Sequence, residues 1–176
     1  MDKNICLIGY MGSGKTTVGR MLAERLDMDF EDTDELIVKN EGRSIPDIFR
    51  DEGEAYFRRL ETDLMKKLAS DGELTDTVLS TGGGLPVDKN NRPLLKEVGT
   101  VVYLKAKPEC LNARVGNDSN RPLLASEDRL LKIRDMLAFR GPIYEECADI
   151  IIDTDELDAG ETVDKIIVSV NKSKSS

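Results

Sequence analysis

Histidine is absent from this 176-residue sequence, and its absence excludes several kinds of catalytic site. A chain without imidazole groups forms no Ser-His-Asp triad, no histidine-based zinc site and no histidine general base. If the protein catalyses a reaction that needs a base, we therefore expect a carboxylate to supply it.

Cysteines and long apolar runs are also scarce. The three cysteines are far apart and form no C-x-x-C pair, which predicts reduced and mostly packed thiols. No apolar run approaches the ~20 residues of a membrane-spanning helix, and no signal-peptide pattern opens the chain. We therefore expect a cytoplasmic protein with no membrane partner. The cysteines are Cys6, Cys110 and Cys147.

Positive charge is in deficit, with 25 Lys and Arg residues against 34 Asp and Glu residues and a net charge of −9. Broad binding of nucleic acid needs a basic surface that neutralises phosphates, so we expect no nucleic-acid partner. Any anionic ligand must instead be bound by a few local arginines. The length predicts one domain that spans residues 1–176.

A glycine-rich motif near the start is the clearest feature that is present. Residues 9–16 read GYMGSGKT and match G-x-x-x-x-G-K-[ST] without a mismatch. The apolar run 4–8 before the motif predicts a buried strand, and the apolar spacing after it predicts a helix. In that setting backbone N–H groups and a helix N-terminus bind phosphate, whereas the alternative is a chance glycine turn. We predict a nucleoside triphosphate site formed by Gly12, Ser13, Gly14, Lys15, Thr16 and Thr17.

Short apolar runs alternate with helical patterns along the rest of the chain. This alternation predicts an α/β fold of three layers, in which helices flank a central five-stranded parallel sheet and sites lie at the carboxyl ends of strands. We expect Thr33 or Asp34 to cap a helix over 35–41 that Gly42 ends, and Ser44 to cap the helical segment that follows. We also expect the helix from residue 127 to break at Gly141-Pro142 and the tail 171–176 to be disordered. The predicted strands are 4–8, 29–32, 77–80, 100–104 and 149–152.

Two carboxylates lie at the carboxyl end of the second predicted strand, in the sequence Asp32-Thr33-Asp34. Residues two apart in an extended segment point the same way, so both carboxylates are expected to face the phosphate-loop cavity. One would bind Mg²⁺ and the other would accept a hydroxyl proton. The alternative is that they only cap the next helix, and the phosphate loop upstream favours the functional interpretation.

Two arginines have two interpretations each. Arg58 and Glu61 lie three apart on one face of a predicted helix, either as a surface salt bridge or as a guanidinium held for bidentate capture of a carboxylate. Arg121 follows the polar stretch 116–120 and is either an exposed loop residue or a lid arginine that covers a transferring phosphate.

Two further stretches follow predicted strands. Gly82-Gly83-Gly84 comes directly after the third strand, and three successive glycines indicate close approach of a ligand or unusual φ angles. Ile150-Ile151-Ile152-Asp153 has the form of a Walker B strand, which would make Asp153 a metal ligand. Its position at the end of the chain favours a purely structural strand.

Taken in order, five motifs resemble the shikimate kinase family, which belongs to the nucleoside-monophosphate-kinase-like P-loop kinases. The likeness spans residue 4 to about residue 170 and includes a further match from Arg140 to Ala148. It implies a mobile lid at about 114–127 and a shikimate-binding region at about 33–61. The motifs are GYMGSGKTT at 9–17, DTD at 32–34, GEAYFRRLE at 53–61, STGGG at 80–84 and RPLL at 121–124.

The resemblance implies that ATP phosphorylates shikimate in the pathway to aromatic amino acids, with Mg²⁺ as cofactor, in a monomeric protein. Arginines matching Arg58 and Arg140 would clamp the carboxylate of shikimate, while Asp34 and the backbone of Gly82, Gly83 and Gly84 would hold its hydroxyls. Asp34 would also orient the acceptor hydroxyl or remove its proton.

The same resemblance implies roles around the nucleotide. Thr16 and Asp32 would serve Mg²⁺, and Lys15 and Arg121 would neutralise charge on the transferring phosphoryl group. Arg114 and the backbone of Leu157 would lie near the adenine.

Two rival functions stay open at this point. A gluconate-kinase-like enzyme would share the phosphate loop but does not account for the motifs at 53–61 and 121–124. A nucleotide-dependent switch of the GTPase type needs N-K-x-D after a strand, and the Asn171-Lys172 pair lies in the tail instead.

Overall fold

The structure is a computed structural model that describes residues 4–70, 72, 74–116 and 126–174. The strands are β1 (Asn4–Ile8), β2 (Asp29–Asp32), β3 (Thr77–Ser80), β4 (Gly99–Lys105) and β5 (Ile150–Asp153). The helices are α1 (Lys15–Leu26), α2 (Thr33–Glu41), α3 (Ile45–Glu52), α4 (Glu54–Ser70), α5 (Asn91–Val98), α6 (Pro108–Gly116), α7 (Ser126–Cys147) and α8 (Ala159–Lys174), with a short 3₁₀ turn at Leu85–Val87.

The five strands form one parallel sheet, as the sequence pattern predicts, and their order is β2-β3-β1-β4-β5. Successive side chains of a strand point to opposite faces, so β1 contributes to both cores. Ile5 and Leu7 pack with α1 and α8, whereas Cys6 and Ile8 pack with α4, α5 and α7. The predicted three-layer α/β architecture is thereby confirmed.

The strand order brings three strand ends together. Ser80 at the end of β3 is in register with Asp32 of β2 on one side and with Leu7 of β1 on the other. The segments that follow β2, β3 and β1 therefore emerge side by side at one edge of the sheet, where parallel sheets form their sites.

β5 lies at the far end of the sheet, and Asp153 accepts a hydrogen bond from the backbone N–H of Asp155 at 3.0 Å. The position of β5 at the far end of the sheet therefore favours the structural interpretation of this strand over a metal-binding role for Asp153.

Helix α2 begins earlier than the sequence pattern predicts. Asp32 is its N-cap and accepts hydrogen bonds from the N–H groups of Asp34 and Glu35, whereas we expected Thr33 or Asp34 to cap it. The cap lies one position earlier because an extended residue with a side-chain acceptor suits the N-cap, and Asp32 still has the strand conformation.

Helix α7 runs through Gly141 and Pro142, so the predicted break at these residues is wrong. Tyr144 and Cys147 follow the proline and are 0% and 2% exposed. Their burial against the sheet stabilises the last turns of the helix, and this packing outweighs the hydrogen bond that Pro142 cannot donate.

The chain ends in helix further than expected. α8 continues to Lys174, so the prediction of a disordered tail is wrong for residues 171–174. The expected lid at 114–127 begins in the last residues of α6 and ends in the first residues of α7, and residues 117–125, including Arg121, lie outside the described residues.

Two expectations about composition have structural counterparts. Cys6 and Cys147 are buried free thiols, and Cys110 is half-buried and also free. In the described part of the chain, no helix combines the length and the apolarity that crossing a membrane requires.

Candidate active site

The phosphate loop connects β1 to α1 through a left-handed turn. Gly12 and Gly14 have φ values of 83° and 93°, a conformation that glycine adopts without the steric cost of a Cβ. The Nζ of Lys15 donates to the carbonyls of Gly9 at 2.7 Å and Tyr10 at 3.1 Å. The N-terminus of α1, with its positive partial charge, therefore begins directly at the loop.

The carboxylates of Asp32 and Asp34 lie in different elements. Asp32 ends the strand and its Oδ1 accepts from Asp34 N at 2.9 Å and Glu35 N at 3.3 Å, while Asp34 lies in the first turn of α2. The expectation that both project from one extended segment is therefore wrong. Asp34 nevertheless faces the site, because its Oδ1 is 2.9 Å from the position of a Cβ on Gly82.

Asp34 shares its surroundings with a second carboxylate, Glu61 of α4. Among the described residues, Asp34 Oδ1 and Glu61 Oε1 are buried and have no hydrogen-bond partner. Burial raises the pKa of Asp34, as does the charge of Asp32, while Lys15 and Arg58 oppose the rise. Burial also raises the pKa of Glu61, and its hydrogen bond with Arg58 opposes it. Such oxygens are suited to accept hydroxyl donors, because an unpartnered buried acceptor is costly.

Arg58 is held by two carboxylates of its own helix. Its Nη1 donates to Glu61 Oε2 at 2.7 Å and its Nη2 to Glu54 Oε1 at 3.2 Å. Glu61 is 1% exposed, so the pair is not the surface salt bridge that the sequence left open. The carboxylates fix the direction of the guanidinium, as the second interpretation requires.

Each of the three successive glycines lies against a different part of the site. A Cβ on Gly82 would be 2.9 Å from Asp34 Oδ1 and 3.0 Å from Glu61 Oε1. On Gly83 it would lie 3.4 Å from the carbonyl oxygen of Gly9 in the phosphate loop, and on Gly84 2.5 Å from Arg58 Nη1. Residues 82–84 therefore connect the carboxylates, the phosphate loop and the arginine, and side chains would obstruct these contacts.

A cavity of about 350 Å³ lies beside this glycine segment. Arg58 from α4 and Arg140 from α7 both line it. Two guanidinium groups on one small cavity are suited to bind a carboxylate. The other lining residues are Glu54, Gly84, Val87, Asp88, Met136 and Phe139.

The residues expected near adenine lie on the β4–β5 side of the sheet. Arg114 donates from Nη2 to the carbonyl of Thr154 at 2.8 Å and from Nη1 to its hydroxyl at 3.2 Å. The side chain of Leu157 packs against the core that contains α1 and α8, which leaves its backbone as the part expected to contact a ligand.

Two polar residues with evident positions in the site had no role in the sequence analysis. Thr33, between the two aspartates, is fully buried and accepts from the N–H of Gly82 at 3.0 Å. Tyr144 donates its hydroxyl to the carbonyl of Gly83 at 2.6 Å. The motif that begins at Arg140 includes Tyr144, but spacing alone does not show which group its hydroxyl contacts.

Comparisons with known proteins agree with this geometry. The family model described as shikimate kinase matches residues 11–171. A shikimate kinase of Dechloromonas aromatica (strain RCB) is 44% identical over 170 residues, which cover 97% of this chain and 91% of that protein. The chain belongs to the shikimate kinase family. The resemblance inferred from the five motifs is thus confirmed.

Solved structures of other proteins separate family from fold. A shikimate kinase from Acinetobacter baumannii in complex with shikimate is 42% identical, with a TM-score of 0.88 over 99% of this chain and 96% of that one. A gluconokinase from Sinorhizobium meliloti 1021 is 18% identical, with a TM-score of 0.57 over 97% and 92% of the two chains. The likeness to the gluconokinase is evidence of a common fold and of nothing more specific.

Proposed function

We propose that this member of the shikimate kinase family transfers the γ-phosphoryl group of ATP to shikimate, forming shikimate 3-phosphate in the pathway to aromatic amino acids. The observation that carries the proposal is one glycine segment with two kinds of neighbour: Gly84 lines the cavity with Arg58 and Arg140, and Gly82 lies against the unpartnered oxygens of Asp34 and Glu61. A carboxylate bound by the arginines would have its hydroxyls beside those oxygens. The Acinetobacter baumannii relative, which is described in complex with shikimate, supports the choice of acceptor.

The part of the proposed site that binds shikimate, the acceptor half, binds both the carboxylate and the hydroxyls of that molecule. Arg58 and Arg140 bind the carboxylate of shikimate by charge-assisted hydrogen bonds. Asp34 and the backbone of residues 82–84 bind its hydroxyls, and Asp34 accepts the hydrogen bond of the hydroxyl that reacts. The pattern of two cations and one carboxylate selects a small acid with hydroxyl groups over a neutral sugar.

The nucleotide half of the proposed site is the loop of residues 12–17. Lys15 contacts the outer phosphates of ATP, which requires its Nζ to exchange the carbonyls of Gly9 and Tyr10 for phosphate oxygens. Arg114 and the backbone of Leu157 lie beside the adenine in this proposal. Arg121 covers the transferring group from the segment outside the described residues.

Magnesium is the proposed cofactor, and the available donors suit it. Thr16 follows Lys15 in the first turn of α1, and Asp32 ends the neighbouring part of the sheet, so both offer oxygen donors. Mg²⁺ in kinase sites prefers oxygen ligands and takes one or two from the protein in addition to phosphates. When bound, Mg²⁺ neutralises charge on the phosphates of ATP.

Positioning and electrostatics account for most of the proposed rate acceleration. Little covalent chemistry is required of a protein in phosphoryl transfer, so the alignment of the acceptor hydroxyl with the γ-phosphate is decisive. Lys15 and Arg121 stabilise negative charge on the transferring group, and Asp34 orients the hydroxyl. In this proposal Asp34 need not remove the proton before the phosphoryl group moves.

We also propose that the chain acts as a cytoplasmic monomer with ATP and shikimate as its partners, without nucleic acid or membrane. The net charge of −9 supports the absence of nucleic-acid binding, because a surface of this charge repels phosphates. The mass of the chain in sedimentation, with and without both substrates, tests the oligomeric state.

An assay of ADP release, coupled to NADH oxidation, tests the function against both rivals. We expect turnover with ATP and shikimate, none with ATP and gluconate, and none from the Lys15→Ala variant. Activity with gluconate alone would identify a gluconate-kinase-like enzyme. Tight nucleotide binding without acceptor-dependent turnover would favour the nucleotide switch.

A further inference from the structure

The hydroxyl of Tyr144 lies in the hydrophobic core, where an apolar ring would be enough for packing. The residue lies in α7, is fully buried, and stacks its ring against Tyr103 at a centroid distance of 5.1 Å. Phenylalanine would fill the same volume, so the ring alone does not explain the hydroxyl. A buried hydroxyl is costly unless it is hydrogen-bonded, and this one donates to the carbonyl of Gly83 at 2.6 Å.

Gly83 lies at the closest approach of two loops. A Cβ built on it would be 3.4 Å from the carbonyl oxygen of Gly9 and 3.7 Å from the N–H nitrogen of Met11 in the phosphate loop. The same Cβ would be 3.6 Å from Arg140 Nη1. A small shift of Gly83 therefore changes the distance between the phosphate loop and the arginine side of the site.

Tyr144 and Arg140 lie in the same helix, four residues apart. Positions i and i+4 of an α-helix are on one face, so the two side chains are neighbours. The bond from Tyr144 to Gly83 thus links the glycine segment to the helix that carries Arg140. The carbonyls of Leu85 and Pro86, which follow the glycine segment, are held from α5 instead. Asn91 donates to Leu85 O at 2.9 Å and Arg92 donates to Pro86 O at 3.0 Å.

We infer that Tyr144 is a positioning residue whose hydroxyl, through the Gly83 carbonyl, fixes the separation between the phosphate loop and the arginines of the acceptor cavity. The inference rests on the proposed function, because it concerns the alignment of the two substrates. Tyr144 contacts neither substrate in this account and acts through the backbone of Gly83.

The electrostatic surroundings keep the hydroxyl able to donate. Burial raises the pKa of Tyr144, and the positive charge of Arg140 together with its hydrogen bond to the phenol opposes this rise only in part. The phenol is therefore protonated at neutral pH, and the donor in the bond to Gly83 O is the tyrosine.

The first test compares Tyr144→Phe with Tyr103→Phe in the ADP-release assay. Both variants remove the phenol hydroxyl of a buried tyrosine and leave its ring, but of the two hydroxyls only that of Tyr144 donates a hydrogen bond to the glycine segment. We expect Tyr144→Phe to raise KM for shikimate and to lower kcat about 10- to 100-fold, because misplacement of about 1 Å has effects of that size. KM for ATP should stay within about twofold of the unsubstituted chain, since the loop of residues 12–17 is intact.

The outcomes separate the inference from the proposed function. If the unsubstituted chain shows no shikimate-dependent ADP release, the proposed function and this inference both fail. If it is active and Tyr144→Phe has unchanged kcat and KM values, only the inference fails. Equal changes in both KM values, or equal effects of Tyr103→Phe, would indicate general structural damage and would also overturn the inference.

A second variant keeps the test decisive if Tyr144→Phe does not fold. Trifluorotyrosine incorporated at position 144 keeps the ring and the hydroxyl but makes the phenol more acidic. We expect its kcat with shikimate to fall, relative to the unsubstituted chain, as rising pH removes the proton that is donated to Gly83. A pH profile that matches the unsubstituted chain would overturn the inference.

Discussion

At the scale of single residues, Asp34 illustrates how burial prepares a carboxylate for a substrate. Its Oδ1 is buried without a partner among the described residues, and burial raises its pKa. We expect Asp34→Asn to lower kcat by several orders of magnitude, because a neutral amide lacks the negative charge that orients the acceptor hydroxyl and cannot take its proton at any stage of the transfer. A loss of only about tenfold, equivalent to ~1.4 kcal/mol, would reduce Asp34 to a binding role. The measurement is kcat at saturating ATP and shikimate.

The same residue predicts the acidic limb of the pH profile. The deprotonated form of Asp34 is the active one, so kcat/KM for shikimate should fall as pH decreases through its raised pKa. Stability changes in the opposite sense, because the folded state binds the proton more tightly than the unfolded state and loses stability as pH rises through this range. Asp34→Asn should therefore raise the melting temperature at neutral pH, with a smaller difference near about pH 4. An Asp63→Asn control on the exposed surface of α4 should show neither effect.

The two arginines of the acceptor cavity offer a prediction with a neighbouring control. Arg58→Ala and Arg140→Ala should each raise KM for shikimate by about 10- to 100-fold, the loss expected for a charge-assisted hydrogen bond of ~1.5–3 kcal/mol. The dissociation constant of ATP, measured by calorimetry, should stay nearly unchanged. Arg59, which stacks over Tyr56 at 5.4 Å, provides the control, and Arg59→Ala should change neither quantity. Equal weakening of ATP and shikimate binding would contradict the proposed division of the site.

At the scale of elements, the glycine segment 82–84 shows why backbone without side chains is required. A Cβ on Gly84 would lie 2.5 Å from Arg58 Nη1 and 2.8 Å from its Cζ, so Gly84→Ala must displace the guanidinium. We expect KM for shikimate to rise about tenfold, or ~1.4 kcal/mol, with little change in melting temperature, because the displaced group ends a flexible side chain. Steady-state kinetics and thermal unfolding of the same preparation measure both quantities.

Gly141 in α7 provides the matched control for this substitution. A Cβ built there meets no heavy atom of the described residues within 4 Å outside its own helix. Gly141→Ala should leave the kinetics unchanged. Its gain in stability should be smaller than the roughly 0.5–1 kcal/mol usual for glycine within a helix, because the ring of Pro142 disfavours a Cβ on the preceding helical residue. If Gly141→Ala impaired shikimate binding as much as Gly84→Ala, displacement of Arg58 would not be the cause.

The elements also show where local sequence rules stop. Ser44 caps α3 and Gly42 ends α2 as predicted, because caps depend on a few neighbouring residues. The break expected at Gly141-Pro142 does not occur, since burial of Tyr144 against the sheet is a tertiary effect that local propensity does not contain. The change from strand to helix after Asp32 likewise placed Asp34 differently from the expected extended geometry.

At the scale of the whole molecule, alternation of strands and helices was enough to predict a parallel sheet with helices on both faces. The strand order, with β3 between β1 and β2, was not predicted, because it depends on packing between distant segments. This order explains why residues far apart in the chain meet: Gly82 lies beside both Asp34 and Glu61, and Gly83 lies beside Gly9. The motifs identified most candidate residues, whereas the link through Tyr144 required the structure.

In the proposed mechanism, one site of the whole molecule aligns ATP with the hydroxyl of a small carboxylic acid. The most direct measurement of this alignment is the transfer of labelled phosphate from γ-labelled ATP, with the product identified by mass spectrometry and phosphorus NMR. We predict label on the 3-hydroxyl of shikimate, formed in step with ADP and absent with Lys15→Ala. Label released only as inorganic phosphate, or transferred to gluconate and not to shikimate, would contradict it.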